Sequence, residues 1–441
     1  MSYKRELVGK FERSQLPVGH GGFHLGTLDI NGRFFRYFFD CGGGAVGKKL
    51  IEAEFEQNEF DFGVVSHFDS DHFSQLRKAK VKRVFIPYLE ELDLFFLTLT
   101  NFVESGQFVD LASELAEFSR NVQVVMVRHV PLNEDGPGDA LGPGPSGDDI
   151  GIEALRATKQ GSVYCISDNE NIYVGTRNDR VVTLKFYNHR AAKLRTAICK
   201  ALNEALTTSA TITAHPKKTT TKSGKPAKVP VPAPALSNES DVSYATVEDF
   251  LADVKANPAA IIHKNAARLK AIYTEILNGH GEAGVTASNL SSLTMFSVTT
   301  ASLTRRSHRD RLFSKSQAGV GHQHHHHYEH ECDGWMLTGD LELTGSIWTG
   351  FYEHYHRAIE QCAVFNVPHH GSARAFDDSS IHYITGNKHF IFPVNAADKH
   401  HPAPTLTALL QTYGVDPTNV RSVTELPHSR FTLTRLYCNE D

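Results

Sequence analysis

Short apolar runs that end in polar, ligand-type residues recur along this chain. Phe62-Gly63-Val64-Val65 runs directly into Ser66-His67-Phe68-Asp69-Ser70-Asp71-His72. Trp335-Met336-Leu337 leads to Thr338-Gly339-Asp340, and Cys362-Ala363-Val364-Phe365 leads through Asn366-Val367-Pro368 to His369-His370-Gly371-Ser372. Such runs, bounded by Gly, Pro or polar clusters, read as buried strands. In the first part of the chain, strands are predicted on either side of the hairpin signal Asn31-Gly32, the second over 33–39. Others follow over 81–86, 122–127, 150–155, 162–166 and 181–186. Leu89, Leu92, Phe96 and Leu99, then Leu111, Leu115 and Phe118, recur near helical spacing, so 88–120 reads as helical. Residues 135–149, rich in Gly, Pro and Asp, read as a loop.

An amphipathic helix is expected over 189–206, and a linker of Thr, Lys, Pro and Ala over 207–240. Two helices follow over 246–255 and 258–278, the latter closed by Gly279. Beyond them, strands at 291–303, 335–339, 362–367, 388–394, 420–424 and 431–437 alternate with helices near 346–360, 376–384 and 404–413. The expected organisation is one α+β fold in two halves, 1–188 and 286–441, with a mostly helical and linker segment, 189–285, inserted between them. The alternation fits a four-layer αββα sandwich.

The polar tips carry the chemistry. In extended backbone His67 and Asp69 point the same way and can grip one ion. A turn after Ser70 swings Asp71 and His72 toward a second. Two divalent ions about 3.5–4 Å apart clamp both oxygens of a displacement reaction. Asp340 is placed to bridge them, with Gly339 permitting close backbone approach. His369 is the ligand expected from the strand at 362–367, with His370 as the alternate. Two paired strands ending in Asp40-Cys41-Gly42 resemble the start of a metallo-β-lactamase fold, which implies that Asp40 hydrogen-bonds the ligand loop and fixes its geometry. His20 and His24 read as turn and strand residues rather than ligands. Asp69 or Asp71 is a candidate to orient attacking water. His401 is a candidate to contact phosphate or protonate a leaving group, set evenly against a plain helix-start role before Pro402. An oxygen-rich ligand set is hard, so Mn²⁺ becomes credible beside Zn²⁺.

Together these motifs resemble the metallo-β-lactamase fold, whose signature H-x-[HDE]-x-D-H is met at His67 to His72, and within it the soluble hydrolase domain of ComEC type. V-G-x-G is matched by Val18-Gly19-His20-Gly21, D-C-G by Asp40-Cys41-Gly42, and N-x-x-S-L by Asn289-Leu290-Ser291-Ser292-Leu293. T-G-D is matched by Thr338-Gly339-Asp340, P-H-H-G-S by Pro368-His369-His370-Gly371-Ser372, and G-H-P is altered to His400-His401-Pro402. The resemblance covers 16–90 and 287–437. It implies a dinuclear centre and phosphodiester hydrolysis on nucleic acid. Asn289 stands where many members of that fold place a further His on the first metal. The membrane-channel region of ComEC has no counterpart here, so DNA uptake is not implied.

Composition narrows the rest. The 441 residues are 22% charged and 40% hydrophobic, ordinary for a soluble globular protein. No apolar h-region follows Met1 and no apolar run reaches about 18 residues, so no membrane partner is expected. Six scattered cysteines without a C-x-x-C pair fit free thiols in a reducing cytoplasm. The stretch from His322 to Glu331 is His-rich and reads as a hairpin loop that would bind transition metals. Basic stretches at 190–200, 217–228 and 305–315 would supply phosphate contacts, whereas the net charge of −5 argues against a strongly basic face. The leading expectation is a phosphodiesterase or nuclease with metal-activated water and nucleic acid as partner. The alternatives are a small-molecule hydrolase of a lactone, thioester or phosphoester, and a hydrolase subunit active only with a partner protein docked on the insertion.

Overall fold

The computed structural model describes residues 7–30, 32–105, 111–130, 150–151, 163–175, 180–190, 195–197, 199–200, 202, 247–256, 269, 291–299, 312–316, 326–328, 333–386 and 388–438. The chain divides into two compact units. One comprises Met1–Glu90, Leu111–Ala191 and Thr286–Asp441, the other Glu91–Asp110 and Ala192–Val285.

The larger unit is built on strands β1 (Leu7–Gln15), β2 (His24–Ile30), β3 (Arg33–Phe39), β4 (Phe62–Val64), β5 (Arg83–Pro87), β6 (Gln123–Arg128), β7 (Ile150–Gly151), β8 (Val163–Ser167), β9 (Asn171–Gly175), β10 (Arg180–Arg190), β11 (Ser291–Thr299), β12 (Leu312–Ser316), β13 (His326–Tyr328), β14 (Gly334–Leu337), β15 (Cys362–Asn366), β16 (His389–Pro393), β17 (Val420–Val423) and β18 (Phe431–Cys438). One sheet runs β13-β12-β18-β1-β2-β3-β4-β5-β6-β8, the other β17-β16-β15-β14-β11-β10-β9-β7. Parallel pairing covers β3 to β8 in the first and β14 to β17 in the second. Strands buried on both faces need uninterrupted apolar sequence, which is why Phe62-Gly63-Val64 and Cys362-Ala363-Val364-Phe365 show no polar alternation.

The inner faces of the two sheets share one core, in which Phe85 of β5 stacks on Phe186 of β10 at 5.0 Å. A buried charge cluster joins them at one end. Arg13 of β1 donates to the Ser297 carbonyl of β11 at 3.0 Å and pairs with Asp333, which also meets Arg435. The outer faces are covered by helices. Helix α1 (Ala45–Gln57) sets Phe55 against Phe38 and Phe60 at 5.2 and 5.5 Å. The single turn α2 (Ser70–Phe73) follows β4. In the smaller unit, α3 (Glu91–Ser105) and α5 (Val247–Ala256) meet through Phe95 and Phe250, and Asp93 pairs with Arg195 at 3.3 Å; α4 (Leu111–Phe118) belongs to the larger unit. Helix α6 (Gly345–Glu360) buries Trp348, Phe351 and Tyr355 against the second sheet, beside α7 (Asp378–Ile384) and α8 (Pro404–Thr412). The layering is therefore helix, sheet, sheet, helix. Among the described residues no helix is long and apolar enough to cross a membrane.

Several sequence expectations need correction. Strand β1 was not predicted, because its alternation hides Arg13, a buried charge, among the inward positions. The helical stretch 88–120 is two helices in different units. Part of the His-rich segment, His326–Tyr328, is a strand paired with β12 rather than a loop. The linker at 207–240 and all but Leu269 of the helix at 258–278 lie outside the described residues.

Candidate metal centre

The site forms where the parallel strands end. After β4 the chain stays extended through His67 to Asp69, whose carbonyl accepts from the backbone N–H groups of His72 and Phe73 and so starts α2. This turn carries Asp71 and His72 back toward His67, and the two imidazoles lie 4.0 Å apart. The arrangement needs bare backbone beside it. A Cβ on Gly42 would stand 2.1 Å from the Asp71 carbonyl carbon. Gly339, at φ +55°, would bring one within 2.6 Å of the Ser66 Cβ.

Asp40 at the end of β3 adopts φ +56°, a left-handed conformation that short polar side chains tolerate. From there its Oδ1 accepts from the Ser66 N–H at 2.7 Å. Its Oδ2 accepts from Ser66 Oγ at 2.9 Å and from His72 Nδ1 at 2.8 Å. His67 Nδ1 meets Ser66 Oγ at 2.9 Å, and His370 Nδ1 donates to the Pro393 carbonyl at 2.8 Å. Each ring is thus fixed through Nδ1, and Nε2 is left facing inward.

Three carboxylates meet those nitrogens. Asp340, just past β14, places Oδ2 3.7 Å from His67 Nε2, while its Oδ1 is 3.3 Å from His72 Nε2 and 3.7 Å from His370 Nε2. Asp69 lies 3.5 Å from His67 Nε2. Asp71 Oδ2 lies 3.4 Å from His370 Nε2 and 3.7 Å from His72 Nε2. The result is two ligand groups, His67 with Asp69 and Asp71 with His72 and His370, sharing Asp340. Ligands of a tetrahedral ion with bonds of about 2.1 Å stand about 3.4 Å apart, which these separations approach. The Nε2 atoms of His67, His72 and His370 and Oδ1 of Asp340 are buried and make no hydrogen bond among the described residues. Four such atoms converging on one space fit divalent ions and suit little else.

The structure separates the two adjacent histidines. His369, the expected ligand, turns its Nδ1 to Glu342 at 3.2 Å, and His370 takes the inner position. Both residues have left-handed backbone, at φ 49° and 55°, and this tight reversal after Pro368 aims consecutive side chains apart. His401 stands at the rim, with Nδ1 3.1 Å from Asp398 Oδ2 and its ring 6.4 Å from that of His369. Asn289 lies outside the described residues, as does most of the three basic stretches. The Leu293 N–H donates to the Ser66 carbonyl, so the strand that follows Asn289 abuts the ligand loop.

His24 is buried in β2 against Trp335 at 4.4 Å. His20 was read as a turn residue, yet its ring stacks on that of His370 at 4.9 Å. Asp398 was not singled out at all. The only signal in the sequence was its place three residues before His401, since nothing local announces that this loop folds back onto His20.

Electrostatics bind the cluster together in the metal-free chain. Burial opposes charge on Asp71, but the imidazoles of His72 and His370 outweigh it and hold the carboxyl well below its ordinary range. Asp340 is displaced in the same direction against the same burial, chiefly by His72 and then His370. Burial would also strip the proton from His72, yet Asp340, Asp71 and Asp40 raise its pKa well above the ordinary value. An arriving ion must therefore expel that proton. Apparent metal affinity should rise with pH, and loading should release a proton from His72. Calorimetric titration with Zn²⁺ in buffers of differing ionisation enthalpy reads that proton, and a heat independent of buffer would contradict the assignment.

No protein-family model matches this chain, and no curated protein matches it either.

Proposed function

We propose that this chain is a metallo-β-lactamase-type hydrolase that cleaves phosphodiester bonds in nucleic acid at a paired divalent metal centre. The observation that carries the reading is the convergence on the two oxygens of Asp340 of the buried His67, His72 and His370 Nε2 atoms, which make no hydrogen bond among the described residues. His67, Asp69 and Asp340 would hold one ion, and Asp71, His72, His370 and Asp340 the other. Bound there, divalent ions acidify water and neutralise charge on a phosphoryl oxygen.

The protein's own contribution is orientation. Asp40, Ser66 and the Pro393 carbonyl lock the imidazole rings, so little reorganisation is needed when substrate arrives. The side chains of Asp69 and Asp71 are 29% and 38% exposed, which leaves carboxylate oxygen at the open side to accept a hydrogen bond from attacking water. Around the mouth stand His20, His369 and His401, with side chains 29%, 26% and 27% exposed. An open, imidazole-rich rim over oxygen-rich ligands suits a phosphate backbone better than an enclosed apolar ligand would.

The test uses the full chain, stripped of metal and reloaded with Mn²⁺ or Zn²⁺. It is incubated with single- and double-stranded DNA, with RNA, and separately with a lactone and a thioester. Nucleic-acid cleavage that a chelator abolishes is expected. Asp71→Asn should lower it roughly 10–100-fold, the equivalent of about 1.4–2.7 kcal/mol of barrier. Turnover of the lactone or thioester alone would replace the substrate assignment. Cleavage that is indifferent to chelator and to Asp71→Asn would refute the centre itself.

A further inference from the structure

A second group of ligand-type side chains sits beside the paired centre, assembled from parts of the chain nearly four hundred residues apart. His20, in the loop before β2, places Nε2 2.6 Å from Asp398 Oδ2. His401 places Nδ1 3.1 Å from the same oxygen. One nitrogen or carboxylate oxygen from each of the three lies within 4.8 Å of the others. The group is built rather than incidental. The His20 N–H donates to Asn395 Oδ1 at 2.9 Å, and Asp398 Oδ1 accepts from the backbone N–H groups of His400 and His401 at 2.6 and 3.2 Å. That last pair fixes Asp398 Oδ2 toward the two imidazoles.

One atom in the group is not satisfied by its neighbours. His20 Nε2 is buried and makes no hydrogen bond among the described residues, although Asp398 Oδ2 is close. The two atoms are close, yet they are not aligned as a hydrogen bond. Two ligands of a single ion are related in this way, because each aims at the ion and not at the other. The 2.6 Å separation would open by about 0.8 Å to reach the tetrahedral ligand spacing of about 3.4 Å, which a side chain 29% exposed allows.

We propose that His20, Asp398 and His401 form a third divalent-cation site, taking Zn²⁺ or Mn²⁺, next to the paired centre. Its three protein ligands leave coordination positions open to solvent, and the stacking of His20 on His370 puts it at the mouth of the cleft. An ion there would offer a point of attachment for an anionic oxygen of the substrate. The inference deepens the hydrolase reading and takes from it the position of the paired centre, but the site is defined by its own residues.

The test is ion stoichiometry of the full chain, measured after Zn²⁺ loading and desalting by native mass spectrometry and elemental analysis. Wild type is compared with Asp398→Asn, His20→Ala and Asp71→Ala. Because every variant keeps the His-rich stretch, ions held there cancel in the differences. Asp398→Asn and His20→Ala should each hold one ion fewer than wild type, and each should retain what Asp71→Ala loses. Equal stoichiometry in wild type and both rim variants overturns the third site, as does a loss of more than one ion by both. An Asp71→Ala chain with the wild-type complement would instead count against the paired centre. The two failures are therefore told apart.

Discussion

On the hydrolase reading proposed above, Asp340→Ala should cost this chain both ions of the paired centre and about a thousand-fold or more of its turnover. Among the described residues, Asp340 is the one side chain whose two oxygens face both ligand groups, Oδ2 toward His67 and Oδ1 toward His72 and His370. Metal ions contribute several kcal/mol of charge stabilisation to a displacement. Losing about 4 kcal/mol of it is a thousand-fold in rate. The substitution also changes the metal-free chain. Asp340 is the foremost charge holding the proton on His72, so His72 should titrate nearer its ordinary range once that carboxylate is gone. That part of the cluster's stability is present while His72 is protonated and is lost as pH rises through its raised folded pKa. The variant should therefore show a smaller alkaline decline in metal-free stability than wild type, since Asp71 and Asp40 still favour the proton. Elemental analysis, turnover of a phosphodiester and chelator-treated unfolding across pH report the three effects. A variant with its full ion complement would mean that Asp340 bridges nothing.

Asp40→Ala should be the most damaging change that touches no metal ligand position directly. Three hydrogen bonds end on this buried carboxylate, from Ser66 N–H, Ser66 Oγ and His72 Nδ1. Breaking a buried charged pair by removing one partner typically costs about 3–5 kcal/mol. Alanine at φ +56° adds about 1–2 kcal/mol of backbone strain. Asp40→Asn separates the two roles. Asparagine accepts the left-handed conformation and can keep Oδ1 on the Ser66 N–H. Its amide N–H₂ then faces His72 Nδ1, which can no longer donate there. The ring is pushed toward the tautomer with its proton on Nε2, the atom aimed at the ion. Metal affinity should fall roughly 10–100-fold, the usual effect of losing a partner behind a ligand. Zn²⁺ competition against a chromophoric chelator and denaturant unfolding measure the two roles. Unchanged affinity in Asp40→Asn would contradict the orienting role.

Much of the site was legible in the sequence because it is local or strand-borne. His67, Asp69, Asp71 and His72 lie within six residues, and period-two alternation followed by a turn dictates how they group. Asp340 and the His369-His370 pair each follow a short apolar run, so strand prediction carries them to the same sheet edge. What the sequence could not settle was which of two adjacent histidines faces inward. That depends on successive left-handed residues after Pro368 and on a carbonyl from β16, neither of which has a pattern signature. The approach of His20 to Asp398 was not legible for a related reason. Their meeting is a tertiary event between two loops, and each alone looks like ordinary turn chemistry. The fold shows the same division. The apolar parallel strands were readable, whereas β1 was hidden by a buried arginine whose partner is Asp333, more than three hundred residues away.

The most direct measurement is anomalous diffraction from crystals of the Zn²⁺-loaded chain. The account requires two strong peaks about 3.5–4 Å apart. One should lie between His67, Asp69 and Asp340, the other among Asp71, His72, His370 and Asp340, with His369 bound to neither. A map with no peak in that space, or with His369 rather than His370 on the ion, would contradict it.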